Sequence, residues 1–553
     1  VSIDVEERPV HTHCPLCGGD RLVHVFEQGG TPIVRCDRCR LMMRNPQPSD
    51  AELSEIYSSD YFLGSVEAGS ETNRLKQETA SGYLDAIERS THRPPKGTRL
   101  LEIGPGLGNL LAEAIARGYD VTGVEFSESS VRSANARLGA DRVVQGSLAT
   151  VSLPAESFDI AILSDVLEHT RDPLADLQRL RRLLAPGGTL FIAVPSLDSW
   201  SARVMRTRWL EFKAEHLYYF DSTTLQLLLF KAGFEHVEIS TGWKTISAEY
   251  VRQHFERFDV PLLSPLARAG SALMPATLRR HPVRVAGSGI NVLATRGAGL
   301  PPAERRHRLT VVMPVFNERA TFSTVIGQLL EKSIPDVDIS VVIVESRSTD
   351  GTREEVEKIA NCDRVTVVYE DAPRGKGHAV RAGLAHATGD YVLIQDADLE
   401  YDMDDYESLL EPLMTGRAAF VLGSRHGADG RGWKVRHFAD QVAVSWYMNL
   451  GHVFFTMLFN VTYGTRLRDP FTMYKVFRRD CLHGLRFEAN RFDFDWELVG
   501  KLVRAGYRPL EIPVNYHSRS FNEGKKVSLI RDPLTWIRAC FKYRFQPLGK
   551  KPR

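Results

Sequence analysis

The chain has 553 residues, 43% of them hydrophobic, and a formal net charge of +1 at pH 7. That length exceeds what one hydrophobic core serves, so about three domains are expected. The near-zero charge excludes a field strong enough to gather a polyanion, which leaves nucleic acid unexpected and small anions allowed.

The first residues, VSIDVEERPV, have neither a basic start nor an apolar stretch, so a cytosolic chain is expected over an exported one. Two Cys-x-x-Cys pairs follow, Cys14 with Cys17 and Cys36 with Cys39. Each pair offers two thiolates on a tight knuckle, and two knuckles close a four-sulfur shell around a structural Zn2+. Disulfides, the alternative, need an oxidising compartment. His11 and His13 are near enough to ligate, but four sulfurs already saturate the metal. A zinc ribbon is therefore predicted over 1–48. A helical lead-in over 49–98 comes next, opened by Ser49 as a cap with Glu52 three residues on and broken by THRPPKG.

From Arg99 the pattern is strand, Gly-rich turn, helix, strand: RLLEIGPGLG, NLLAEAIARGY, DVTGVEF. This is a βαβ unit. Gly104, Gly106 and Gly108 let backbone approach a ligand where a Cβ would clash, and Glu125 at the end of the second strand can accept both hydroxyls of a ribose. A dinucleotide fold fits these residues too. Glu102, just inside the end of the first strand, can meet an ammonium group, which a dinucleotide lacks.

With the later run SFDIAILSDVLEHTRDPLADLQRLRRLLAPGGTLFIAVPS, the segment from Arg99 to about Arg296 resembles class I SAM-dependent methyltransferases, and 99–298 is assigned to that domain. The resemblance implies that Glu102, Gly104 and Gly106 line the methionine end, Glu125 the ribose, and Ser147 with Leu148 the adenine. Ser147 departs from the acidic residue that many members have there. The ribbon followed by CRLMMRNPQPSDAELSEIYSSDYF resembles methyltransferases of sugar pathways with an N-terminal zinc module, which makes a sugar the expected methyl acceptor. His169, Glu215 and His216 are the candidate general bases, with helix capping or core packing as the plain alternative. Tyr218 and Tyr219 either stack on a sugar or pack.

GAGLPPAERRHR is rich in Gly, Pro and charge and is read as a linker over 299–308. Strands and helices then alternate from LTVVMPV to DYVLIQDADLE, implying a nucleotide-binding α/β half. At the end of the last strand Asp396, Asp398 and Glu400 alternate along extended chain. That spacing puts Asp396 and Asp398 on one side, where they can hold a divalent cation against a diphosphate.

Together PVFNE, ESRSTDGT, RGKGHAVRAGLAHATGDYVLIQDADLE, VLGSR and EIPVNYHSRSFNEGKKV resemble family 2 inverting glycosyltransferases of GT-A fold, most nearly the dolichol- and polyprenyl-phosphate sugar transferase branch. The resemblance is drawn from Arg308 to about Phe545, and the domain is placed at 309–553. It implies that Pro314, Asn317 and Glu318 border the base and ribose of a nucleotide-diphosphate sugar. Lys376 would approach the phosphates, Asp396, Asp398 and Glu400 would surround Mg2+ or Mn2+, and Arg425 and Arg519 would meet phosphate groups. Glu345-Ser346 replaces a family Asp-Asp pair. Asp495 is a base only if the acceptor is a hydroxyl, because a phosphate acceptor is already an anion. Asp493 lies beside it, at an expected strand-to-helix transition.

The apolar run VAVSWYMNLGHVFFTMLFNVTY is interrupted by Asn449, His452 and Asn460, so no clean membrane-spanning helix is expected. Ile530, Leu534, Ile537 and Phe541, with Arg531, Arg538 and Lys542 alongside, form a stripe able to touch anionic lipid, although docking on the transferase core is the commoner use of such a stripe. The expectation is thus an α/β multidomain protein: zinc ribbon, Rossmann-like SAM methyltransferase and GT-A glycosyltransferase. It would be cytoplasmic, with peripheral contact at the inner face of the membrane as an option, and its acceptor a sugar, lipid phosphate or glycoconjugate. Two alternatives stand beside it. One catalytic domain is a degenerate recruiting scaffold, or the ribbon guides methylation of nucleic acid.

Overall fold

The computed structural model describes residues 8–56, 71–257, 265, 270, 274–297, 305–426, 435–436, 441–519 and 531–549. The chain divides into two compact units, Val1–Pro301 and Pro302–Arg553. Most of the expected linker, residues 298–304, lies outside the described residues, as do Ile530 and residues 520–527 of the EIPVNYHSRSFNEGKKV motif.

In the first unit, β1 (Leu22–Gln28) and β2 (Thr31–Cys36) form a hairpin through Gly29 and Gly30, whose positive φ values of 57° and 73° suit a two-residue turn. β3 (Met42–Arg44) extends it. The fourth strand of this sheet, β9 (Tyr218–Tyr219), comes from far along the chain and pairs antiparallel with β3. Ser49 and Glu52 then cap the helix Asp50–Ile56 reciprocally, each accepting a hydrogen bond from the other's backbone N–H.

The main sheet of this unit holds β4 (Arg99–Ile103), β5 (Asp120–Glu125), β6 (Val143–Gln145), β7 (Phe158–Ser164), β8 (Leu184–Pro195), β10 (Phe234–Ile246) and β11 (Val283–Arg296), in the order β10-β11-β8-β7-β4-β5-β6. β4 to β8 run parallel, and β11 is antiparallel to both neighbours. Leu100, Leu101, Ile160, Ala161, Ile162 and Leu190 are fully buried because helices cover both faces of a parallel sheet. Chain order reverses at β4, with β5 on one side and β7 on the other. The crevice beyond the carboxyl end of such a switch point is where an α/β sheet binds its ligand.

The second unit repeats the principle with β12 (His307–Val315), β13 (Val337–Glu345), β14 (Val365–Tyr369), β15 (Tyr391–Ile394), β16 (Phe420–Ser424), β17 (Lys475–Arg478) and β18 (Leu510–Pro513), ordered β14-β13-β12-β15-β17-β16-β18. β17 is antiparallel to β15 and β16, and the other pairings are parallel. The switch point lies between β12 and β15.

Three expectations need correction. His307 and Arg308, placed in the linker, belong to β12, where Asp390 accepts from the Arg308 N–H and pairs with Arg305. β15 ends at Ile394, so Asp396, Asp398 and Glu400 lie in the irregular chain beyond it and do not alternate along a strand. Residues Val442–Tyr463 form one continuous helix of 22 residues, long and apolar enough to cross a membrane by length and composition. Its polar residues do not interrupt it because they face inward. Asn449 and His452 are buried, and Asn460 bonds the Leu467 backbone.

Candidate functional sites

In the ribbon, Cys14 Sγ lies 3.5 Å from Cys39 Sγ and Cys17 Sγ 3.5 Å from Cys36 Sγ, with all four sulfurs within 4.8 Å of one another. Thiolates about 2.3 Å from a tetrahedral zinc stand about 3.8 Å apart, so the set fits zinc. All four thiols are free and buried. His11 instead approaches the Tyr218 hydroxyl, and His13 that of Thr12.

At the switch point of the first unit, Gly104 has φ 69°, and a Cβ there would fall 2.6 Å from Val166 Cγ2. Gly108, at φ 74°, caps the helix Asn109–Arg117. Glu125 accepts from the Gly106 N–H at 3.0 Å and the Ser127 N–H at 2.9 Å, which fixes a carboxylate at the strand end. The Gly146 N–H bonds the Glu125 carbonyl, bringing half-buried Ser147 beside it. Glu102 is buried, with Oε2 lacking any partner among the described residues. Burial and then the Glu125 charge push its carboxyl up to about 8. A buried acid in that condition calls for a cation, and the ammonium of a methionine moiety meets that need.

His169 ends the 3-10 turn Leu167–His169, and its ring stands perpendicular to that of His216 with centroids 4.7 Å apart. Burial holds His169 below its ordinary value and pushes His216 down to about 2, so both rings are neutral near pH 7. Glu215 is buried and presents its backbone carbonyl to His169 Nδ1 at 3.1 Å. Tyr218 and Tyr219 are buried in β9 and bond the Arg171 and Lys213 carbonyls, so they pack and do not offer a stacking face.

In the second unit, a cavity of about 1120 Å³ is lined by Pro314, Glu318, Lys376, Asp396, Asp398, Glu400, Arg425, Asp495 and Arg519. Asn317 and Glu345 are outside its lining. Asn317, at φ 50°, takes the Thr349 N–H on Oδ1, and fully buried Glu345 takes the Ser348 N–H, so both shape the loops behind the wall. The helix Lys376–His386 begins hard against residues 489–494: a Cβ on Gly375 would meet the Asn490 carbonyl at 2.5 Å. This close approach sets Lys376 in the cavity, where Nζ bonds Asp396 at 2.6 Å. Although burial alone depresses that ammonium, Asp396 and Asp495 hold it above its usual range.

Arg519 bonds Asp398 and reaches Glu318 at 3.2 Å. Burial, then Asp396 and Glu400, push Asp398 up to about 7. Glu400 accepts from the Arg519 N–H, and the three acids do not form a convergent ligand cluster among the described residues. Two carboxylates suffice for a hard cation that takes its remaining oxygens from phosphate and water. Arg425 is buried in a two-bond pair with Asp469, so its charge is already balanced by a residue the sequence did not flag. Asp495 sits in the first turn of the helix Phe494–Arg504 and bonds buried Lys475 at 2.7 Å. It follows a loop, since β17 ends seventeen residues earlier at Arg478. Asp493, at the N-cap, accepts from the Arg491 N–H instead of capping the helix.

One wall of this cavity is apolar: Tyr447, Leu450, Phe454, Pro533, Trp536 and Ile537 come from two helices, Val442–Tyr463 and Arg531–Phe545. The first of these also exposes Val442, Leu450, Val453, Phe454, Met457 and Val461.

The first unit thus has the sheet order and cofactor crevice of a Rossmann-like methyltransferase, and the second the mixed sheet of a nucleotide-sugar-dependent transferase. A methyltransferase domain model matches residues 75–239, and the glycosyl transferase family 2 model matches residues 310–485. The chain is a fusion of a SAM-dependent methyltransferase domain with a family 2 glycosyltransferase domain, preceded by a four-cysteine module. Among curated relatives, Glycosyltransferase AglD of Haloferax volcanii is 29% identical over 252 residues, 42% of this chain and 38% of its own length. The low-salt glycan biosynthesis hexosyltransferase Agl6 of the same organism is 28% identical over 236 residues, 42% of this chain and 52% of its own. The chain therefore spans about half or less of these relatives. A solved 1,6-didemethyltoxoflavin-N1-methyltransferase of Burkholderia thailandensis aligns at 17% identity and TM-score 0.30, covering 50% of this chain and 99% of that one.

Proposed function

We propose that this chain is a bifunctional enzyme of glycan or glycoconjugate assembly. It methylates a sugar from SAM and transfers a sugar, with inversion, from a nucleotide-diphosphate donor to a lipid-linked phosphate or glycan. The division proposed is ribbon 1–48, lead-in 49–98, methyltransferase 99–298 and glycosyltransferase 309–553. One observation carries the reading most strongly: acids, cations and an apolar wall share a single cavity in the second unit. A soluble acceptor does not need that wall, whereas a phosphate on a long apolar chain uses both halves.

In the first unit SAM, when bound, supplies an electrophilic methyl group. Glu102 receives its ammonium, Glu125 its ribose hydroxyls and the turn at Ser147 its adenine, while Gly104, Gly106 and Gly108 admit the backbone approach. His169 and His216 face the acceptor. In-line transfer draws much of its acceleration from such positioning.

In the second unit Mg2+ or Mn2+, when held by Asp396 and Asp398, supplies the charge that neutralises the departing diphosphate. Lys376 and Arg519, paired with those acids, are within reach to turn their donors toward phosphate oxygens. Pro314, Asn317 and Glu318 shape the nucleoside end. Arg425 acts through Asp469 to hold the floor of the cavity in place. Asp495, bonded by Lys475 Nζ at 2.7 Å, serves as base if the acceptor is a hydroxyl. The exposed apolar face of the helix Val442–Tyr463 supports work at the cytoplasmic surface of a membrane.

The test is direct. Purified chain is given labelled nucleotide sugars and vesicles containing a polyprenyl phosphate, and label is followed into the organic phase. Label reaching soluble glycan alone would set aside the lipid-linked acceptor.

A further inference from the structure

Outside the ribbon, one other group of ligating side chains converges among the described residues. The donor atoms of Glu168, His169 and His216 lie within 4.8 Å of one another. Glu168 and His169 are placed by the 3-10 turn that follows β7, and His216 by the chain entering β9. The turn and the strand are tied together where the Leu217 N–H bonds the Glu168 carbonyl at 2.8 Å.

Three features set this group apart from ordinary core packing. The Glu168 side chain is 2% exposed, and neither carboxyl oxygen has a hydrogen-bond partner among the described residues. His216 Nδ1 is likewise buried without a partner. His169 turns Nδ1 toward the Glu215 carbonyl, so that nitrogen carries the proton, and its Nε2 lies 4.0 Å from Glu168 Oε1. A carbonyl behind a histidine fixes the tautomer and ring orientation that metal binding requires. The nearby cations are already engaged, Lys213 with Glu211 and Lys244 with Asp165. A proton shared between Glu168 and His169 does not explain the arrangement, because 4.0 Å is too long for a hydrogen bond and His216 Nδ1 would stay unsatisfied.

We propose that Glu168, His169 and His216 hold a divalent transition-metal ion on the acceptor side of the methyltransferase unit. Two imidazoles and one carboxylate suit zinc, iron(II) or cobalt, and are a poor set for Mg2+. Ligands of one such ion sit about 2.0–2.2 Å from it, so side-chain rotation by under about 1 Å closes the shell. Three protein ligands leave positions open for water or for an oxygen of the acceptor. That last use rests on the methyltransferase reading, but the existence of the site does not.

The experiment counts ions, not turnovers. The full chain is prepared as Asp398→Asn, so that the acids of the second unit add no ion, then stripped and titrated with Co2+. Cobalt is read by absorption and by elemental analysis after desalting. The ribbon gives an intense thiolate-to-cobalt band, and a nitrogen–oxygen site gives only weak d–d bands. Two ions per chain are expected, falling to one in Glu168→Gln and in His216→Ala with the thiolate band intact. One ion per chain before either substitution, with a purely thiolate spectrum, overturns the proposal whether or not those variants fold. Two ions that both persist in Glu168→Gln and His216→Ala overturn it as well.

Discussion

Met43 of the ribbon pairs in antiparallel register with Tyr218, two residues after His216. The four-cysteine module and the segment that carries His216 are therefore joined in one sheet. Cys36 ends β2, β2 pairs with β3, β3 pairs with β9, and β9 begins two residues after His216. Lys231 adds a second tie by donating to the Leu16 carbonyl at 2.6 Å.

Cys36→Ser is accordingly expected to do more than release zinc. Methyl transfer should fall at least about tenfold through lost positioning of the acceptor side, with SAM affinity changed little and nucleotide-sugar binding not at all. Zinc content, methyl-transfer kinetics and calorimetric binding of the two donors check this. Full methyl transfer by a zinc-free protein would contradict it.

Glu102 gives a pH signature. Its carboxyl, pushed up to about 8, is protonated near neutrality in the ligand-free protein and must ionise to receive an ammonium. SAM binding should then release close to one proton at pH 6–7, with affinity rising nearly tenfold per pH unit until about pH 8. Above that the ligand's own amine, of ordinary pKa roughly 7.7–8.0, begins to lose its charge. Calorimetry in buffers of different ionisation enthalpy counts the proton, and Glu102→Gln should remove it. Binding without proton release would show that the group is already ionised.

Gly104→Ala tests the close approach at the crevice. The left-handed φ alone costs about 1–2 kcal/mol for a residue with a Cβ, and the methyl would press on Val166. A lower melting temperature and weakened SAM binding are expected together. Unchanged SAM affinity would mean that the turn is not at the ligand.

The exposed face of the helix Val442–Tyr463 predicts surface binding. Leu450 and Met457 are each 59% exposed, so changing both to Ser should alter stability little. Binding to vesicles should drop by roughly tenfold or more from the lost apolar area. Co-sedimentation measures it, and undiminished binding would assign that face another role.

The legible parts of this chain were those written in local spacing. Cysteines three positions apart, glycines in a β–α turn and acids just beyond a strand announce themselves, because neighbours in sequence do the work. Residues whose partners are distant did not. Lys475 opens the short strand β17 and meets Asp495 twenty residues on, and Arg425 meets Asp469 forty-four residues away. Glu168 stands one residue before a histidine that drew attention, yet its isolation emerges only when Leu217 folds back over the turn. Asn449 and His452 looked like breaks in an apolar run, when helical period had gathered them on the inward face.

Two separate transfers on one chain require a double dissociation, measured in one vessel with SAM and nucleotide sugar carrying different labels. Gly104→Arg should lose methyl transfer and keep sugar transfer. Asp398→Asn, or excess chelator acting on the wild type, should lose sugar transfer severely while methyl transfer continues in Asp398→Asn. Loss of both labels in either folded variant, or sugar transfer at full rate from a chain shown by elemental analysis to be free of Mg2+ and Mn2+, would contradict two independent sites.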